Sequence, residues 1–312
     1  MTEKTRIQIE EIKKQTIGVE IEMTNISREA TCRVVAEYYG TTSTIRRIGG
    51  FYDKWTCKDN QGRTWTAMSD SSIRSRGAGT AELVTPILKY DDIKDLQEIV
   101  RKLRHKKAIS NPEYGCGVHI HIGANGHNAK TLRNLANIMA SHEQLIAKAI
   151  NVANSRINSY CRVVDADFLK RVNRRKPTSM SGLADCWYGS DTYGRDGHYH
   201  SSRYHMLNLH ATFTKGTIEF RLFQFDNPGN GRKGGLHAGQ LKSYIQLCLA
   251  LSEMAKEAKG ASSKPQQNEN PKYAMRTWLL RLGFVGDEFA TAREVLTRRL
   301  AGDAAFRNGT RA

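Results

Sequence analysis

The stretch Gly18-Val19-Glu20-Ile21-Glu22-Met23 alternates apolar side chains with carboxylates. Because successive side chains of a β-strand point to opposite faces, Glu20 and Glu22 are predicted to share one face. Three later segments repeat this alternation, and they are Ala81-Glu82-Leu83-Val84-Thr85-Pro86, Gly117-Val118-His119-Ile120-His121-Ile122-Gly123 and Thr217-Ile218-Glu219-Phe220-Arg221-Leu222-Phe223. Four such strands predict a sheet whose charged face is a functional site, since an ordinary half-buried sheet carries Ser, Thr or Lys there.

The charged positions of these segments have the composition of a divalent-metal site. The candidate ligands are four carboxylates and one imidazole, namely Glu20, Glu22, Glu82, Glu219 and His119. Carboxylates held close together on rigid strands repel one another unless cations neutralise them. This donor set suits two or three hexacoordinate Mg²⁺ or Mn²⁺ ions whose other positions take water and phosphate oxygens, as in phosphoryl transfer.

The composition is that of a globular protein, with 39% hydrophobic and 8% aromatic residues in 312. No apolar run reaches 18 residues, so no transmembrane helix is expected, and the N-terminus lacks the apolar middle of a signal peptide. The six cysteines are widely spaced without a CxxC pair, which predicts reduced thiols in a cytoplasmic protein.

The formal net charge is +17, which favours a polyanionic partner such as nucleic acid, a nucleotide or an acidic substrate. A plain basic, solvated surface explains the charge equally well. The Gly-rich stretch Gly231-Arg232-Lys233-Gly234-Gly235 lacks the GxxxxGK[ST] spacing of a Walker A loop. Phosphate binding is therefore expected from metals and basic side chains.

The chain predicts one catalytic domain over residues 16–258, after a polar and loosely ordered extension at 1–15 and before a linker-like loop at 259–272. Residues 273–312 predict an amphipathic helical segment with a frayed basic tail. Ser27 is expected to cap a helix that ends at Gly40. Further strands are predicted at 44–48, 54–58, 63–68, 206–213 and 216–225, and further helices at 91–107, 129–154 and 236–258. Residues 155–202 predict a long functional loop with short helices.

These segments, in this order, resemble the carboxylate–amine ligases of the glutamine synthetase and glutamate–cysteine ligase superfamily, most closely the amidoligase family. The resemblance covers roughly residues 16–255, and it also rests on Ser69-Asp70-Ser71-Ser72 and Arg203-Tyr204-His205-Met206-Leu207-Asn208-Leu209. It implies an α+β fold in which a curved, mostly antiparallel β-sheet forms a funnel backed by helices, as in the catalytic domain of glutamine synthetase. The implied reaction joins a carboxylate to an amine through an acyl phosphate, and it releases ADP and phosphate.

The resemblance also implies roles for individual residues. Glu22, His119 and Glu219 look like ligands of the metal that bridges the ATP phosphates, whereas Glu20 and Glu82 look like ligands of the metal nearer the acceptor carboxylate. The other positions that are similar to functional ones are Arg203 and Arg221 for phosphoryl or carboxylate groups, Asp70 for the incoming amine, His121 beside ATP, and Asn208 for substrate. The implied cofactors are ATP and two or three Mg²⁺ or Mn²⁺ ions per site. The implied partners are a carboxylate and an amine, each an amino acid, a peptide or a protein.

Ordinary structural explanations exist for the same side chains. Glu20 and Glu22 suit a solvated strand edge, the histidines suit a sheet interior, Glu219 with Arg221 suits a surface ion pair, and Asp70 suits a turn. A zinc site is a further hypothesis, although the spacing of its candidate ligands matches no closed zinc site; these candidates are His198, His200, His205 and Cys186.

Three functions therefore stay in view. The first is an ATP-dependent amide-bond ligase. The second is a basic nucleic-acid-binding protein with metal-dependent phosphodiester chemistry, because clustered acids also suit two-metal nucleases. However, no stacking platform, RRM or helix-turn-helix signature supports this second function. The third is an inactive ligase-like scaffold. A ligase that acts on a polyanion, or on a protein near one, would combine the first function with the +17 charge.

Overall fold

The computed structural model describes residues 1–197, 199–226, 235–265 and 269–306, which form a mixed α/β fold. The strands of these residues are β1 (Ile17–Thr24), β2 (Arg46–Gly49), β3 (Lys54–Lys58), β4 (Thr64–Met68), β5 (Thr80–Val84), β6 (Val118–Gly123), β7 (Leu207–Asn208) and β8 (Thr217–Phe223). The α-helices are α1 (Glu3–Lys14), α2 (Arg28–Tyr39), α3 (Ile93–His105), α4 (Ala129–Ile150), α5 (Asn154–Ser159), α6 (Ala166–Arg175), α7 (Met180–Tyr188), α8 (His210–Lys215), α9 (Ala238–Glu257), α10 (Pro271–Arg281) and α11 (Ala290–Thr297).

The chain divides into two compact units. The sheet unit comprises Thr16–Ile120 and Phe223–Lys242. The helical unit comprises Met1–Gln15, His121–Leu222 and Ser243–Ala312. The helical unit thus draws on residues before, within and after the catalytic domain that the sequence predicts over 16–258.

The strand order in the sheet unit is β2-β3-β4-β5-β1-β6. The described registers, which join β2 to β3, β3 to β4, β4 to β5 and β5 to β1, are all antiparallel. Alternation along β1 and β5 buries Ile21 and Leu83, which are Cα partners, on the core face. The strands predicted at 44–48, 54–58, 63–68 and 81–85 are confirmed, with ends that differ by one or two residues at most.

Helices α2 and α3 cover the core face of the sheet unit. The Ser27 hydroxyl accepts a hydrogen bond from the Ala30 N–H at 3.1 Å, and α2 ends at Gly40 in the left-handed conformation (φ 71°), so both predicted helix boundaries are confirmed. Helix α2 packs against β3, β4, β5 and α3. The buried apolar side chains of α3 are Ile93, Leu96, Ile99, Val100 and Leu103.

The helical unit is organised around α4, a 22-residue helix that begins at a capping box formed by Asn128 and Thr131. Buried amides anchor α4 to the segment that follows α9: the Asn134 amide donates to the Ala258 carbonyl at 2.7 Å, and the Asn137 amide donates to the Ala261 carbonyl at 3.0 Å. The antiparallel pair β7–β8 lies in the same unit. None of the helices in the described residues is long and apolar enough to cross a membrane.

Residues 1–15 are more ordered than the predicted loose extension. They form α1, in which the Gln8 amide donates to the Arg281 carbonyl at 3.1 Å. Gln15 follows the helix and is held twice, because its amide donates to the Leu249 carbonyl and its carbonyl accepts from the Ser252 hydroxyl. These buried amide contacts join positions more than 200 residues apart, so a local pattern does not reveal them.

The strand predicted at 206–213 is wrong beyond Asn208. The Asn208 side-chain oxygen accepts from the His210 N–H at 2.9 Å, and this local bond turns the chain into the short helix α8. Leu207 and Asn208 are the Cα partners of Phe220 and Glu219 on β8, and the Met206 carbonyl accepts from the Arg221 N–H at 2.9 Å. Helix α8 ends at Gly216, which has a φ of 69°.

The predicted loop with short helices at 155–202 does contain short helices, namely most of α5 and all of α6 and α7, and the rest of its described residues form no α-helix or strand. Side-chain caps explain the starts of the latter two helices: Asp165 accepts from the Phe168 N–H and Ser179 accepts from the Gly182 N–H. Residues 227–234 of the Gly-rich insert, His198, residues 266–268 of the predicted linker and the predicted frayed end at 307–312 lie outside the described residues. All six cysteines are buried, and none forms a disulfide, as predicted.

Candidate functional site

An acidic cluster lies on one face of the sheet unit. Antiparallel pairing of β1 with β5 makes Glu22 and Glu82 direct Cα partners, so the two carboxylates project from the same face. Glu20 lies two residues before Glu22 on that face, and β6 contributes His119. Asp70 follows the last residue of β4, Met68, which is the Cα partner of Glu82.

Hydrogen bonds orient the ligand atoms of the acidic cluster. His119 Nδ1 lies 3.0 Å from Glu20 Oε2, and His119 Nε2 lies 3.7 Å from Glu22 Oε1. The Gly117 N–H donates to Glu22 Oε2 at 2.5 Å. Glu22, Glu82 and His119 are buried, with 4%, 8% and 4% of their surfaces exposed, so the cluster is largely withdrawn from water.

Two overlapping sets of ligand atoms in this cluster have the spacing of metal sites. Glu20, Glu82 and His119 each place one ligand atom within 4.8 Å of the others, and Glu22, Asp70 and Glu82 do the same. Glu82 belongs to both sets. At an effective dielectric constant of about 20, two unit charges 4.8 Å apart repel by about 3.5 kcal/mol. The cluster therefore favours divalent cations, and its carboxylate-rich donor set fits Mg²⁺ or Mn²⁺.

The sequence predicts Asp70 beside the incoming amine. In the structure one ligand atom of Asp70 lies within 4.8 Å of ligand atoms of Glu22 and Glu82. One of its oxygens, Oδ1, accepts from the N–H and the hydroxyl of Ser72 at 2.7 and 2.5 Å, which fixes the turn after β4. The Asp70 carboxylate therefore both shapes a turn, as the structural explanation held, and joins a candidate metal set. Its place in that set depends on the register between β4 and β5, which a single sequence does not specify.

The helical unit holds a second polar cluster around Glu219. The Asn208 amide donates to Glu219 Oε2 at 2.5 Å, and Arg221 forms an ion pair with Glu219 Oε1. His121 Nε2 lies 3.9 Å from Glu219 Oε1, and His121 Nδ1 lies 3.0 Å from the Thr217 hydroxyl. The four residues Asn208, Glu219, Arg221 and His121 are buried, with between 2% and 7% of their surfaces exposed. Glu219 and Arg221 thus form a buried ion pair and not the surface pair of the structural explanation.

Two arginines of the helical unit share one aromatic ring. The guanidinium carbons of Arg203 and Arg221 lie 5.9 and 5.8 Å from the Tyr204 ring centroid, and Arg203 also lies 5.3 Å from the Tyr199 ring centroid. Within the described residues Arg203 forms no ion pair, and its Nε is buried without a hydrogen-bond partner. This guanidinium is therefore suited to an anionic group such as a phosphate or carboxylate.

Sequence reasoning missed two residues beside this cluster. Arg156 is 2% exposed and donates from its guanidinium to the Arg221 carbonyl at 2.8 Å, so it fixes the backbone of β8 at the residue that carries the ion pair. Tyr204 belongs to a quoted motif, yet its ring faces two arginines. Residues 155–202 are rich in Arg and Tyr, which indicates contacts of this kind but does not identify the residues that make them.

A third kind of buried carboxyl occurs at Glu143 on α4. Its Oε2 accepts from the Val164 N–H at 2.8 Å, and no cationic side chain among the described residues pairs with it. Burial raises the pKa of Glu143 to about 8, and the backbone hydrogen bond opposes this only in part. Glu143 is therefore mostly protonated at neutral pH.

The candidate zinc ligands do not assemble. His200 contacts the Ser202 hydroxyl and the Asp191 carbonyl, and His205 Nδ1 lies 2.6 Å from the Val163 carbonyl oxygen. In the part of the chain that is described, Cys186 joins no metal-ligand set with them. His198 lies outside that part.

Comparison with known proteins bears on this arrangement. A family model described as "Putative amidoligase enzyme" matches residues 13–252. The chain belongs to this amidoligase family. The matched range includes every residue of the acidic cluster and of the Glu219 cluster, so both clusters are parts of the amidoligase region. No curated protein matches the sequence.

Among solved structures, the chain is similar to a bifunctional glutathione synthetase from Pasteurella multocida. The two are 13% identical with a TM-score of 0.40, and the match covers 96% of this chain and 49% of that one. The chain thus spans about half the length of that protein.

Proposed function

We propose that this protein is an ATP-dependent carboxylate–amine ligase that forms an amide bond through an acyl phosphate. The observation that carries the proposal is the acidic cluster, in which two candidate metal sets share Glu82 within the range that the amidoligase family matches. The glutamine synthetase-like funnel is part of the same proposal, and the antiparallel pairing of β5 with β1 supports it.

The acidic cluster fits the metals that such a reaction uses. Glu20, Glu82 and His119 would hold one ion, and Glu22, Asp70 and Glu82 would hold a second. Bound Mg²⁺ or Mn²⁺ supplies neutralisation of negative charge on phosphate and carboxylate oxygens. The remaining positions around each ion would take water and substrate oxygens.

The proposed reaction has two steps. An oxygen of the substrate carboxylate attacks the γ-phosphorus of ATP, the bond to ADP breaks, and an acyl phosphate forms. The nitrogen of a neutral amine then attacks the acyl carbon, phosphate leaves, and the nitrogen loses a proton as the amide forms. In a site that holds only the ion of Glu20, Glu82 and His119, Asp70 is the carboxylate that we assign to hold the ammonium or receive its proton, in keeping with its predicted role.

Arg203 is proposed to bind an anionic substrate group. Its guanidinium is held by the rings of Tyr199 and Tyr204 and is not neutralised by an ion pair in the described residues. Arg221 already pairs with Glu219, so we assign it chiefly to orienting that carboxylate. Glu219 stays a proposed metal ligand, and His121 and Asn208 are proposed to orient it or to contact ATP and substrate.

Hydroxylamine tests the proposal without knowledge of the natural amine. The protein is incubated with ATP, Mg²⁺ or Mn²⁺, hydroxylamine and pooled amino acids or peptides. An acyl phosphate gives a hydroxamate, so we expect hydroxamate and ADP in equal amounts. Glu82→Gln should lose both products, whereas Glu98→Gln, at an exposed ion pair on α3, should keep both.

Two results would contradict the proposal. One is ATP turnover that is independent of any added carboxylate and leaves no hydroxamate. The other is metal-dependent cleavage of nucleic acid that is lost in Glu82→Gln, with no ATP turnover in any pool, which would favour the phosphodiester function.

A further inference from the structure

Two rows of side chains cross the sheet unit on the face that carries the acidic cluster. Directly paired residues of antiparallel strands project from the same face. The strand registers give one row of Glu22, Glu82 and Met68, and a second row of Glu20, Val84, Thr66, Thr56 and Arg46. Continuing the β3–β4 register by one residue places Lys54 opposite Met68.

The two faces of these strands differ in exposure. On the core face Cys57, Trp65 and Ala67 are at most 1% exposed. On the opposite face Thr56, Thr66 and Met68 are half-buried, and Arg46, Lys58 and Thr64 are exposed. This face therefore continues from the buried acidic cluster, across a half-buried middle lined by threonines, to exposed residues on β2 and β3.

Cations gather at the far end of this face. Arg46, Lys54 and Lys58 lie on it, and none of them pairs with a carboxylate among the described residues. Lys54 Nζ lies 5.6 Å from the Tyr52 ring centroid, and the Arg46 guanidinium donates to the Ser43 and Ile45 carbonyls at 2.7 and 2.8 Å. These three residues are called the basic strip below.

The turn next to the basic strip is held in one conformation. Asp53 accepts from Arg28 at 2.7 Å and from Arg47 at 2.9 Å, and its N–H donates to the Gly50 carbonyl at 3.0 Å. The turn presents large apolar side chains to water, since Phe51 is 94% exposed and Ile48 on β2 is 62% exposed. A ligand on the basic strip would therefore also meet a fixed apolar contact.

We propose that this face binds an extended acidic peptide, whose one carboxylate reacts at the acidic cluster while a second acidic side chain pairs with the basic strip. Charge complementarity carries the choice of ligand, because three cations that pair with no carboxylate among the described residues attract an anionic partner. Neighbouring strands are about 4.8 Å apart, so the backbone of Lys54 lies about 10 Å from that of Glu82, and the backbone of Arg46 about 14 Å from that of Val84. An extended chain advances about 3.3–3.6 Å per residue, so the two acidic groups lie about three or four residues apart.

This inference rests on the proposed ligase function, because only that function supplies a reacting carboxylate at the acidic cluster. Its test, however, measures binding without ATP. A fluorescein-labelled pentaglutamate peptide is titrated with the full chain at low salt in the presence of Mn²⁺, and its anisotropy is compared with that of labelled pentaglutamine. We expect pentaglutamate to bind at least tenfold more tightly.

Matched variants locate the site. Replacing the basic strip with alanine (R46A, K54A and K58A together) should weaken pentaglutamate binding at least tenfold while Mn²⁺ binding is retained, which shows that the acidic cluster is intact. The control, K94A, R104A and K106A together, removes the same charge from α3 and the residue that follows it, and it should change the affinity less than twofold.

Three results would overturn the inference. The first is equal affinity for the two peptides, and the second is an equal loss of pentaglutamate affinity in the two triple variants. The third is tighter binding of labelled oligothymidylate that is lost in the R46A/K54A/K58A variant, which would assign the strip to nucleic acid. Hydroxamate formation together with any of these results would leave the ligase function standing. Specific peptide binding without any ATP turnover would overturn the ligase function alone.

Discussion

The two polar clusters differ in how the negative charge of their buried carboxylates is balanced. In the helical unit Glu219 meets Arg221 and the Asn208 amide, so a cation and a hydrogen-bond donor of the protein neutralise it. In the sheet unit Glu20, Glu22, Asp70 and Glu82 crowd one another around His119. The difference indicates that a cation of the protein already balances the charge of Glu219, whereas the crowded carboxylates of the sheet unit favour cations from solution.

Glu143 is a third case. Its carboxyl is buried without a cation in the described residues, and burial raises its pKa so that it stays protonated at neutral pH. The same Glu→Gln change should therefore have different effects at a paired carboxylate, at a protonated one and at a crowded one. We expect the largest effect from Glu82→Gln, followed by Glu219→Gln and Glu143→Gln, and the smallest from Arg203→Ala, which tests the substrate-binding guanidinium instead.

Glu82→Gln should have the largest effect, because Glu82 belongs to both candidate metal sets. We expect carboxylate-dependent ATP turnover to fall at least 1,000-fold, which corresponds to about 4 kcal/mol of transition-state free energy. Stability without metal should be unchanged or increased, since a repelling charge is removed. Steady-state kinetics and urea unfolding in EDTA measure the two effects, and Glu98→Gln is the exposed control. A large loss of stability in EDTA would show that Glu82 is a structural residue.

Glu219→Gln should instead lower stability whether or not metal is present. The change removes the charge that faces Arg221 in a buried ion pair, and such changes cost about 3 kcal/mol. Urea unfolding of the variant and the wild-type protein, with and without Mn²⁺, measures the difference. A loss of stability that appears only with Mn²⁺ would show that the ion pair contributes little to folding and that Glu219 acts chiefly as a metal ligand.

Glu143→Gln should alter stability in a pH-dependent way. Burial raises the pKa of Glu143 from 4.5 to about 8, so the folded state keeps a proton that the unfolded state releases between these values. The wild-type protein should therefore lose stability relative to the variant as the pH rises from about 4.5 to about 8, by about 1.4 kcal/mol per pH unit within this range, and the difference should then level off. Urea unfolding at pH 5, 7 and 9 measures this difference. A constant difference over the whole range would contradict a protonated Glu143.

Arg203→Ala should have the smallest effect. We expect the KM for ATP or for the carboxylate substrate to rise about tenfold, or about 1.4 kcal/mol, because a charge-assisted contact to an anion is lost. Arg203→Lys keeps the charge but loses the planar contact with Tyr199 and Tyr204, so it should recover only part of the loss. Arg174→Ala, at an exposed position on α6, is the control. An unchanged KM in Arg203→Ala would remove Arg203 from the substrate-binding residues.

The alternation in the sequence predicts the strands and faces of the acidic cluster well. The period-two pattern at 18–23 and 117–123 is enough to place Glu20 with Glu22 and to orient His119, because successive side chains of a strand point to opposite faces. The positions that it misses depend on register and on distant contacts. Asp70 reaches Glu82 through the pairing of β4 with β5, and Arg156 reaches the Arg221 carbonyl across 65 residues of sequence.

The errors in secondary structure have the same origin. Helix α1 is stabilised by Gln8, which contacts α10, and by Gln15, which contacts α9, and α8 starts because Asn208 bonds the backbone two residues ahead. Neither kind of contact is visible as a hydrophobic period.

Mn²⁺ binding measured by calorimetry and electron paramagnetic resonance tests the central claim most directly. The account predicts two Mn²⁺ ions per chain, coordinated by carboxylate oxygens and one imidazole nitrogen, with at least one ion lost in Glu82→Gln and both retained in Glu98→Gln. If the wild-type chain bound no Mn²⁺, or if Glu82→Gln bound it as the wild-type chain does, the crowded carboxylates would not be a metal centre and the proposed ligase would lose its main support.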